Sequence, residues 1–264
     1  MELEQLYRVA DEIPSMGGRE IGPILREYTK AAPAGTAVVE VGCWLGAGTA
    51  QLALGIRERT TGSPLSIYCY DRWTANEPEV AKAALQGLSL EVGEDILPHT
   101  RRMLAPFGVP IQFLKGDLRK ACWTAGPISV YVDDASKTPK LFLHSLGTFG
   151  PSWIPGETVI FLMDFDIWTK TGNAEHRCQK EFIEAHPQSF ERIPYPDVAV
   201  FRYSHPVNFT AWIMGRFEKE AKQLAKVIEQ KEAALRRIKG SLSWRITSPL
   251  RRGRSAFMKA TRRG

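Results

Sequence analysis

Cysteine is scarce in this sequence, and no two of its four cysteines are spaced as a Cys-x-x-Cys pair. Neither a thiolate zinc site nor a disulfide framework is therefore predicted. Long apolar runs are missing too, and the acidic N-terminal segment lacks the basic and then apolar profile of a signal peptide. These absences favour a soluble protein of the cytoplasm. The cysteines are Cys43, Cys69, Cys122 and Cys178.

Positive charge is concentrated near the C-terminal end of the chain. Residues 216–264 contain 15 Lys and Arg against 4 Asp and Glu. Residues 1–215 contain 20 Lys and Arg against 25 Asp and Glu, so the larger part of the chain is mildly acidic. An enzyme that acts on nucleic acid would more usually carry positive charge around its cleft, so a nucleic-acid substrate is not favoured.

Strand-like apolar runs alternate with helical stretches through residues 1–208, which we predict to form one domain. Several runs are continuous, as in strands that helices cover on both faces. Two short strand candidates between residues 189 and 203 lie too close together for a crossover helix, so they predict an antiparallel closing hairpin. The pattern predicts an α/β fold, a Rossmann-like, doubly wound and mostly parallel seven-stranded sheet. The main strand candidates are Ala37–Val41, Leu65–Tyr70, Ile111–Leu114, Ile128–Val132, Thr158–Met163 and Val198–Tyr203.

Beyond residue 208 the pattern changes to one long helix, predicted over residues 209–240. Apolar side chains recur there at alternating three- and four-residue steps, and Lys231 interrupts the series. Such a seam fits packing on the body of the protein as well as it fits pairing with a second chain, which would give a homodimer. Its apolar members are Phe217, Ala221, Leu224, Ile228, Leu235 and Ile238.

Residues 241–264 form a basic tail with seven Lys and Arg and no acid. Apolar residues that include Trp244, Ile246 and Leu250 are interspersed among them. This combination predicts a peripheral contact with an anionic membrane surface, on the inner face of the membrane. A tail that only keeps the protein in solution is the alternative.

The most informative segment, residues 40–49, takes a strand into a glycine-rich turn and then a helix. Gly42, Gly46 and Gly48 allow the backbone to approach a ligand closely and to point amides at it. A dinucleotide site would need its third glycine at the place of Gln51, so a nicotinamide cofactor is not favoured. A purely structural turn between strand and helix is the alternative.

Acidic residues follow the second and third predicted strands. Asp71 follows the second strand, where a carboxylate can accept both hydroxyls of a ribose lying across the sheet edge. Asp117 and Leu118 follow the third strand. Capping of the next helix is the alternative role for Asp71.

Acids also follow the fourth and fifth predicted strands. Asp133 and Asp134 follow the fourth strand, and Asp164 and Asp166 follow the fifth. The carboxyl ends of adjacent parallel strands meet at the crevice where such sheets bind ligands. Hard oxygen ligands suit Mg²⁺, which can hold an acceptor hydroxyl and lower its pKa. Helix capping by these acids is the alternative.

Two further side chains are candidates for acid-base chemistry near these acids. Lys137 can act as a base if it is desolvated, although a solvated lysine is the simpler expectation. His176 lies in the polar loop after the fifth strand, and its imidazole titrates near neutral pH. Together with Asp133, these residues make up the predicted catalytic set.

The pattern Glu-x-Gly-x-x-x-Gly-x-Gly in residues 40–48 resembles the first motif of class I S-adenosylmethionine-dependent methyltransferases. The acids after the later strands resemble those of metal-dependent O-methyltransferases of the macrocin and catechol types, and of bacterial sugar methyltransferases. The resemblance covers residues 16–203 in order of motifs. It departs from the catechol pattern at Phe165, where an Asn ligand is expected, so Asp166 substitutes for it or the metal is absent. The resemblance implies that S-adenosylmethionine is held by Glu40, Gly42, Gly46, Gly48, Asp71, Asp117 and Leu118.

The same resemblance implies an O-methyltransferase that transfers a methyl group to a hydroxyl. Residues 243–251 resemble tails of enzymes of bacterial surface-polysaccharide assembly, which favours a sugar hydroxyl of a surface glycan as acceptor. The Asn-Pro-Pro-aromatic and Asp-Pro-Pro-aromatic motifs of methyltransferases that act on nucleic acid do not occur. The rival hypothesis is a Rossmann-like binding module that has lost catalysis and docks to a membrane-associated glycan assembly.

Overall fold

The computed structural model describes residues 1–60 and 65–240, with side chains described through residue 238. By its internal contacts the chain divides into a first unit, Met1–Phe209, and a second unit that begins at Thr210. The predicted boundary after residue 208 lies one residue earlier. The basic tail at 241–264 and its expected membrane contact lie outside the described residues.

The first unit is built on a sheet of seven strands in the order β3-β2-β1-β4-β5-β7-β6. The first five of these pair in parallel, whereas β7 runs antiparallel to both β5 and β6. This arrangement confirms the predicted doubly wound, mostly parallel sheet with an antiparallel closing hairpin. The strands are β1 (Ala37–Val41), β2 (Ser66–Asp71), β3 (Ile111–Lys115), β4 (Ile128–Asp133), β5 (Val159–Leu162), β6 (Phe190–Ile193) and β7 (Ala199–Tyr203).

Helices connect the strands, and several short 3-10 turns lie between them. The helices of the first unit that precede β4 are α1 (Leu3–Glu12), α2 (Gly22–Ala31), α3 (Ala47–Arg57), α4 (Glu77–Ala84) and α5 (Leu97–Leu104). Those that follow β4 are α6 (Pro139–Phe149), α7 (Ile167–Thr171) and α8 (Cys178–Ala185). The 3-10 turns are Ala105–Phe107, Leu118–Lys120, Gly150–Ser152 and Ala174–Arg177.

The centre of the sheet carries the core of the first unit. β1, β4 and β5 are buried at every residue. Strands with both faces covered have apolar side chains on both, which is why these three read as continuous apolar runs in the sequence. β3, at the sheet edge, is exposed at three of its five residues.

Aromatic packing fixes the closing hairpin of β6 and β7. The ring centroid of Trp153 lies 6.4 Å from that of Phe190 on β6 and 5.7 Å from that of Tyr203 on β7. Phe209 approaches the same indole at 5.4 Å and nearly at a right angle. Edge-to-face pairs of this kind add to the stability gained by burial. The hairpin is therefore held to the end of the sheet by side chains as well as by its ladder.

The second unit, as far as it is described, continues the helix α9 (Phe209–Gly240), which has the predicted extent. Its side chains are mostly exposed. No helix in the described ranges combines the length and apolar character needed to span a lipid bilayer.

Candidate functional site

The order of the strands reverses between β1 and β4, and the candidate site lies at their carboxyl ends. The Asp134 amide donates a hydrogen bond of 2.8 Å to the carbonyl of Val41, which joins the two strand ends. Gly42 has φ of 88°, and a Cβ there would come 2.7 Å from the Asp134 carbonyl oxygen. Only glycine fits this place without displacing backbone. Open α/β sheets bind ligands at such a switch point.

The glycine turn after β1 holds a strained conformation. Trp44 has φ of 46°, a left-handed value that is costly for a bulky residue, and Gly46 has φ of 91° at the start of α3. Two hydrogen bonds of 2.9 Å fix the Trp44 carbonyl, from the indole of Trp73 and from the hydroxyl of Thr100. Strain that the surroundings maintain is typical of functional sites. No sequence pattern had singled out Trp44 or Trp73, because backbone strain is not visible in a sequence.

Asp71 lies against this turn, as the sequence predicted. One carboxylate oxygen accepts a 2.9 Å hydrogen bond from the Trp44 amide, and the other accepts a 2.7 Å bond from the Trp73 amide. A carboxylate has about four lone-pair positions, so each oxygen retains one for a ligand hydroxyl. The side chain therefore both fixes the turn and remains able to accept bonds from a ribose.

Glu40, predicted to help hold the cofactor, lies beneath the turn. Its side chain is buried and accepts a hydrogen bond from the Thr49 hydroxyl. A Cβ on Gly48 would collide with the same carboxylate. Burial raises the pKa of Glu40 to about 7, although the bond from Thr49 opposes that shift. The thiols of Cys43 and Cys69 lie within 4.8 Å of this carboxylate.

The segment after β3 lies next to Asp71. The Gly116 amide donates a 2.9 Å hydrogen bond to the Asp71 carbonyl. Asp117 follows at the surface, where the Arg119 side chain binds it at 2.6 Å and lowers the pKa of its carboxyl to about 2. Leu118 is half-buried and begins a 3-10 turn. The structure places Asp117 and Leu118 on the predicted side of Asp71, with the Asp117 carboxylate already paired.

Asp133, predicted as a catalytic and metal-binding residue, makes its described hydrogen bonds within the protein. Its side chain is fully buried. One carboxylate oxygen accepts hydrogen bonds from the amides of Ala135 at 3.2 Å and Ser136 at 2.9 Å. The other accepts a bond of 3.3 Å from the Tyr131 hydroxyl. The side chain thus closes the loop after β4, and its oxygens are used within the protein.

Asp134, Lys137 and Asp164 form the charged group on the other side of the switch point. The ammonium of Lys137 lies 3.2 Å from a carboxylate oxygen of Asp164. Burial raises the pKa of Asp134 to about 8, and the nearby Asp164 charge contributes to the rise while Lys137 opposes it. Lys137 therefore places a positive charge beside both carboxylates.

The remaining two predicted residues lie apart from this charged group. Asp166 is exposed, and its charge acts on Arg192 of β6. The imidazole of His176 lies 2.9 Å from the Thr171 hydroxyl, within its own loop. The described contacts of both side chains are thus to neighbours outside the group formed by Asp134, Lys137 and Asp164.

The predicted four-carboxylate magnesium site does not fit this arrangement. Mg²⁺ requires oxygen ligands in near-octahedral positions. Asp133 uses one oxygen on two backbone amides and the other on the Tyr131 hydroxyl. Asp166 is exposed, and Asp164 lies 3.2 Å from the Lys137 ammonium. In the described parts of the chain, the one set of three metal-ligand side chains within 4.8 Å of one another is Glu40, Cys43 and Cys69, which lies under the glycine turn.

A cationic surface next to the charged group was not predicted from the sequence. The Arg177 guanidinium lies 4.8 Å from the ring centroid of Trp168, and the Lys180 ammonium lies 5.3 Å from it. Gln179, between the two cations, donates to the Ser136 carbonyl at 3.5 Å and so ties α8 to the loop after β4. The indole N–H of Trp168 is buried without a hydrogen-bond partner. Gln179 thus connects this surface to the loop that carries Asp134 and Lys137.

Comparison with known proteins gives only distant likenesses. No family model and no curated protein matches the sequence. CalS11, described as a calicheamicin methyltransferase, is 12% identical and has a TM-score of 0.49, with 77% of this chain and 91% of that chain covered. The apo structure of CalS11, described as a TDP-rhamnose 3'-O-methyltransferase, is 13% identical at a TM-score of 0.46, with 77% and 93% covered.

A third solved structure, OxaC in complex with SAH and oxaline, is 12% identical at a TM-score of 0.41, with 68% of this chain and 46% of that chain covered. Identities and TM-scores this low do not transfer an activity from these proteins to this chain. The function is inferred from the geometry at the switch point and from the sequence motifs that lie there.

Proposed function

We propose that this chain is an S-adenosylmethionine-dependent O-methyltransferase. The observation that carries the proposal is the division of the switch point into two parts. A fixed glycine turn with the Asp71 carboxylate lies on one side, and Asp134 with Lys137 and Asp164 lies on the other. The first part suits a ligand with a ribose, and the second suits removal of a proton from an acceptor.

The cofactor is expected to bind across the turn of residues 42–46. The backbone there approaches a ligand without side-chain obstruction at the glycines, and the start of α3 directs amides outward. Asp71 retains acceptor positions for the ribose hydroxyls. Leu118, half-buried next to Asp71's strand end, offers an apolar contact to the base.

Asp134 is the residue that we assign as general base. When bound, S-adenosylmethionine supplies a methyl group whose bond to sulfur breaks as the bond to the acceptor oxygen forms, which leaves a neutral thioether. The proton of the acceptor hydroxyl passes to the Asp134 carboxylate. A pKa of about 8 is close to the value that makes a general base effective near neutral pH.

Lys137 and Asp164 position this base electrostatically. The ion pair at 3.2 Å keeps a positive charge beside Asp134, which favours its ionised form. The Asp164 charge has the opposite effect and keeps the Asp134 pKa high enough for proton uptake. No step requires a metal ion, because the carboxylates do not form a set of ligands for one.

The acceptor that we propose is a sugar hydroxyl of a bacterial surface glycan or a related glycoside. Its support is the resemblance of residues 243–251 to the tails of enzymes that assemble surface polysaccharides. The cationic surface of Arg177 and Lys180 beside Trp168 suits an acceptor that carries a sugar ring and an anionic group, since rings stack on indoles and cations bind anions.

The decisive experiment is calorimetric titration of the full chain with S-adenosylmethionine, with S-adenosylhomocysteine, and with NAD as the comparison ligand. We expect binding of the first two and none of the third. Tighter binding of NAD would overturn the proposal. A second assay measures methyl transfer from labelled S-adenosylmethionine to a panel of glycosides. Cofactor binding without transfer to any hydroxyl acceptor would favour the binding module instead.

A further inference from the structure

The helix α9 exposes a row of large apolar side chains. Phe217, Leu224, Ile228 and Leu235 each expose between 49% and 62% of their surface. They follow one another at steps of seven, four and seven residues, and Ala221 and Lys231 occupy the two intervening places. The row of six therefore keeps alternating four- and three-residue steps from Phe217 to Leu235, which is the seam of a coiled coil.

This seam, residues 217–235, covers more than half of the helix α9. At 1.5 Å per residue, its 18 steps span about 27 Å. Charged residues alternate with alanine and glutamine on the rest of the helix surface, where Val227 is also exposed. An apolar stripe on a largely polar helix is the pattern of a helix that pairs with another of its kind.

We propose that α9 pairs with α9 of a second copy of this chain, in antiparallel orientation. One register places each seam residue opposite a suitable partner: Phe217 faces Leu235 of the second copy, and Leu224 faces Ile228. Ala221 then faces Lys231 of the second copy. The single small residue of the seam meets its single charged residue, which has room to extend its ammonium past the alanine to solvent.

The charges favour this orientation over the parallel one. In a parallel pair the two Lys231 side chains would face each other across the seam, where like charges repel. In the antiparallel register, Glu220 adjoins the alanine that Lys231 of the second copy meets, so an ion pair replaces that repulsion. Glu218 and Glu232 of the two copies face each other at the rim, where they repel, but solvent screens that repulsion and Lys231 beside them offsets part of it.

The first test is the mass of the full chain in solution by sedimentation velocity and light scattering. We expect a dimer for the native chain and for Gln223→Glu, which adds a charge outside the seam. Leu224→Glu places the same charge inside the seam, and we expect it to halve the measured mass. Circular dichroism confirms that each variant keeps its helix content. A native chain that stays monomeric at every concentration measured, or a dimeric Leu224→Glu, overturns the proposal.

The second test separates the two orientations by disulfide formation in a Cys122→Ser background, because Cys122 is the exposed native thiol among the described residues. The antiparallel register brings residue 221 to residue 231 of the second copy. It separates the two copies of residue 221 by ten residues, or about 15 Å. We expect the double variant Ala221→Cys, Lys231→Cys to cross-link under mild oxidation and both single variants to stay uncross-linked. Cross-linking by either single variant would show parallel pairing, and absence of cross-linking in all three would overturn the dimer.

Discussion

Two carboxyl groups at the switch point, on Asp134 and Glu40, have pKa values near neutrality. Burial is the main cause in both, and it raises the pKa of Asp134 to about 8 and that of Glu40 to about 7. Glu40 is enclosed under the turn, whereas Asp134 is partly exposed and lies beside Lys137. The environment therefore suits two similar acids to different roles, Glu40 to the architecture of the turn and, in the function that we propose, Asp134 to proton transfer.

We expect the stability of the protein to fall as the pH rises from about 5 to about 8. In this range the unfolded chain has released the Asp134 proton while the native state keeps it, so raising the pH favours unfolding. In urea unfolding at several pH values, the unfolding free energy of Asp134→Asn should fall by about 2–4 kcal/mol less over this range than that of the native chain. The exposed Asp166→Asn is the matched control. An equal decline in both variants would place the titrating group elsewhere.

Replacing Asp71 with alanine should weaken binding of S-adenosylmethionine by about 1–3 kcal/mol, since hydrogen bonds to a charged group are lost. The Trp44 and Trp73 amides lose their acceptors at the same time, so part of the loss comes from the turn itself. Calorimetry on Asp71→Ala and on the control Asp166→Ala measures the difference. Unchanged affinity in a folded Asp71→Ala protein would remove this residue from the site.

Chelation should leave methyl transfer unaffected. Lys137 is already ion-paired with Asp164, and Asp133 accepts hydrogen bonds from two backbone amides and the Tyr131 hydroxyl. Turnover in excess EDTA is therefore expected to equal turnover in Mg²⁺, once a glycoside acceptor is in hand. If EDTA abolishes transfer and added Mg²⁺ restores it, the carboxylates must rearrange around a metal when substrate binds.

Among the elements, the strands were predictable and the directions of their last side chains were not. Continuous apolar runs and the short closing hairpin gave the seven-stranded sheet, because burial on both faces leaves a clear pattern. Asp133 and Asp134 are adjacent and equally acidic in the sequence. The first bends back to amides and the second faces Asp164, a difference set by loop geometry that residue order does not record.

The close approach of Gly42 to the Asp134 backbone, in the turn between β1 and α3, can be tested by substitution. Gly42→Ala must adopt φ of 88° and also place a Cβ 2.7 Å from the Asp134 carbonyl oxygen. Gly35→Ala has nearly the same left-handed φ, 77°, and open space around its Cβ. We expect Gly35→Ala to cost about 1–2 kcal/mol of unfolding free energy and Gly42→Ala clearly more. If urea unfolding shows the same loss of unfolding free energy in Gly42→Ala and Gly35→Ala, the backbones of β1 and β4 must be able to move apart at little cost.

At the scale of the whole molecule, charge separates an acidic body from a basic C-terminal end. The seven basic residues after Gly240 have no acid beside them. Each such residue near an anionic leaflet contributes about 1 kcal/mol, so several together hold a protein at a membrane reversibly. This arrangement would keep the proposed enzyme near lipid-linked glycans.

Co-sedimentation with anionic vesicles tests that contact. We expect the full chain to bind in low salt and to be released as salt is raised, because screening weakens the attraction. A chain ending at Lys239 should stay in the supernatant under both conditions. Equal behaviour of the two chains would exclude the tail as the anchor.

The carboxylate under the glycine turn also constrains how this protein can vary. Glu40 occupies the space that any side chain at position 48 would need. A relative that carries alanine at position 48 is therefore expected to carry a shorter residue at position 40, with aspartate as the acidic choice. We therefore expect positions 40 and 48 to covary across the strand and the helix, because alanine at position 48 alone would collide with the Glu40 carboxylate, whereas aspartate at position 40 would leave room for it.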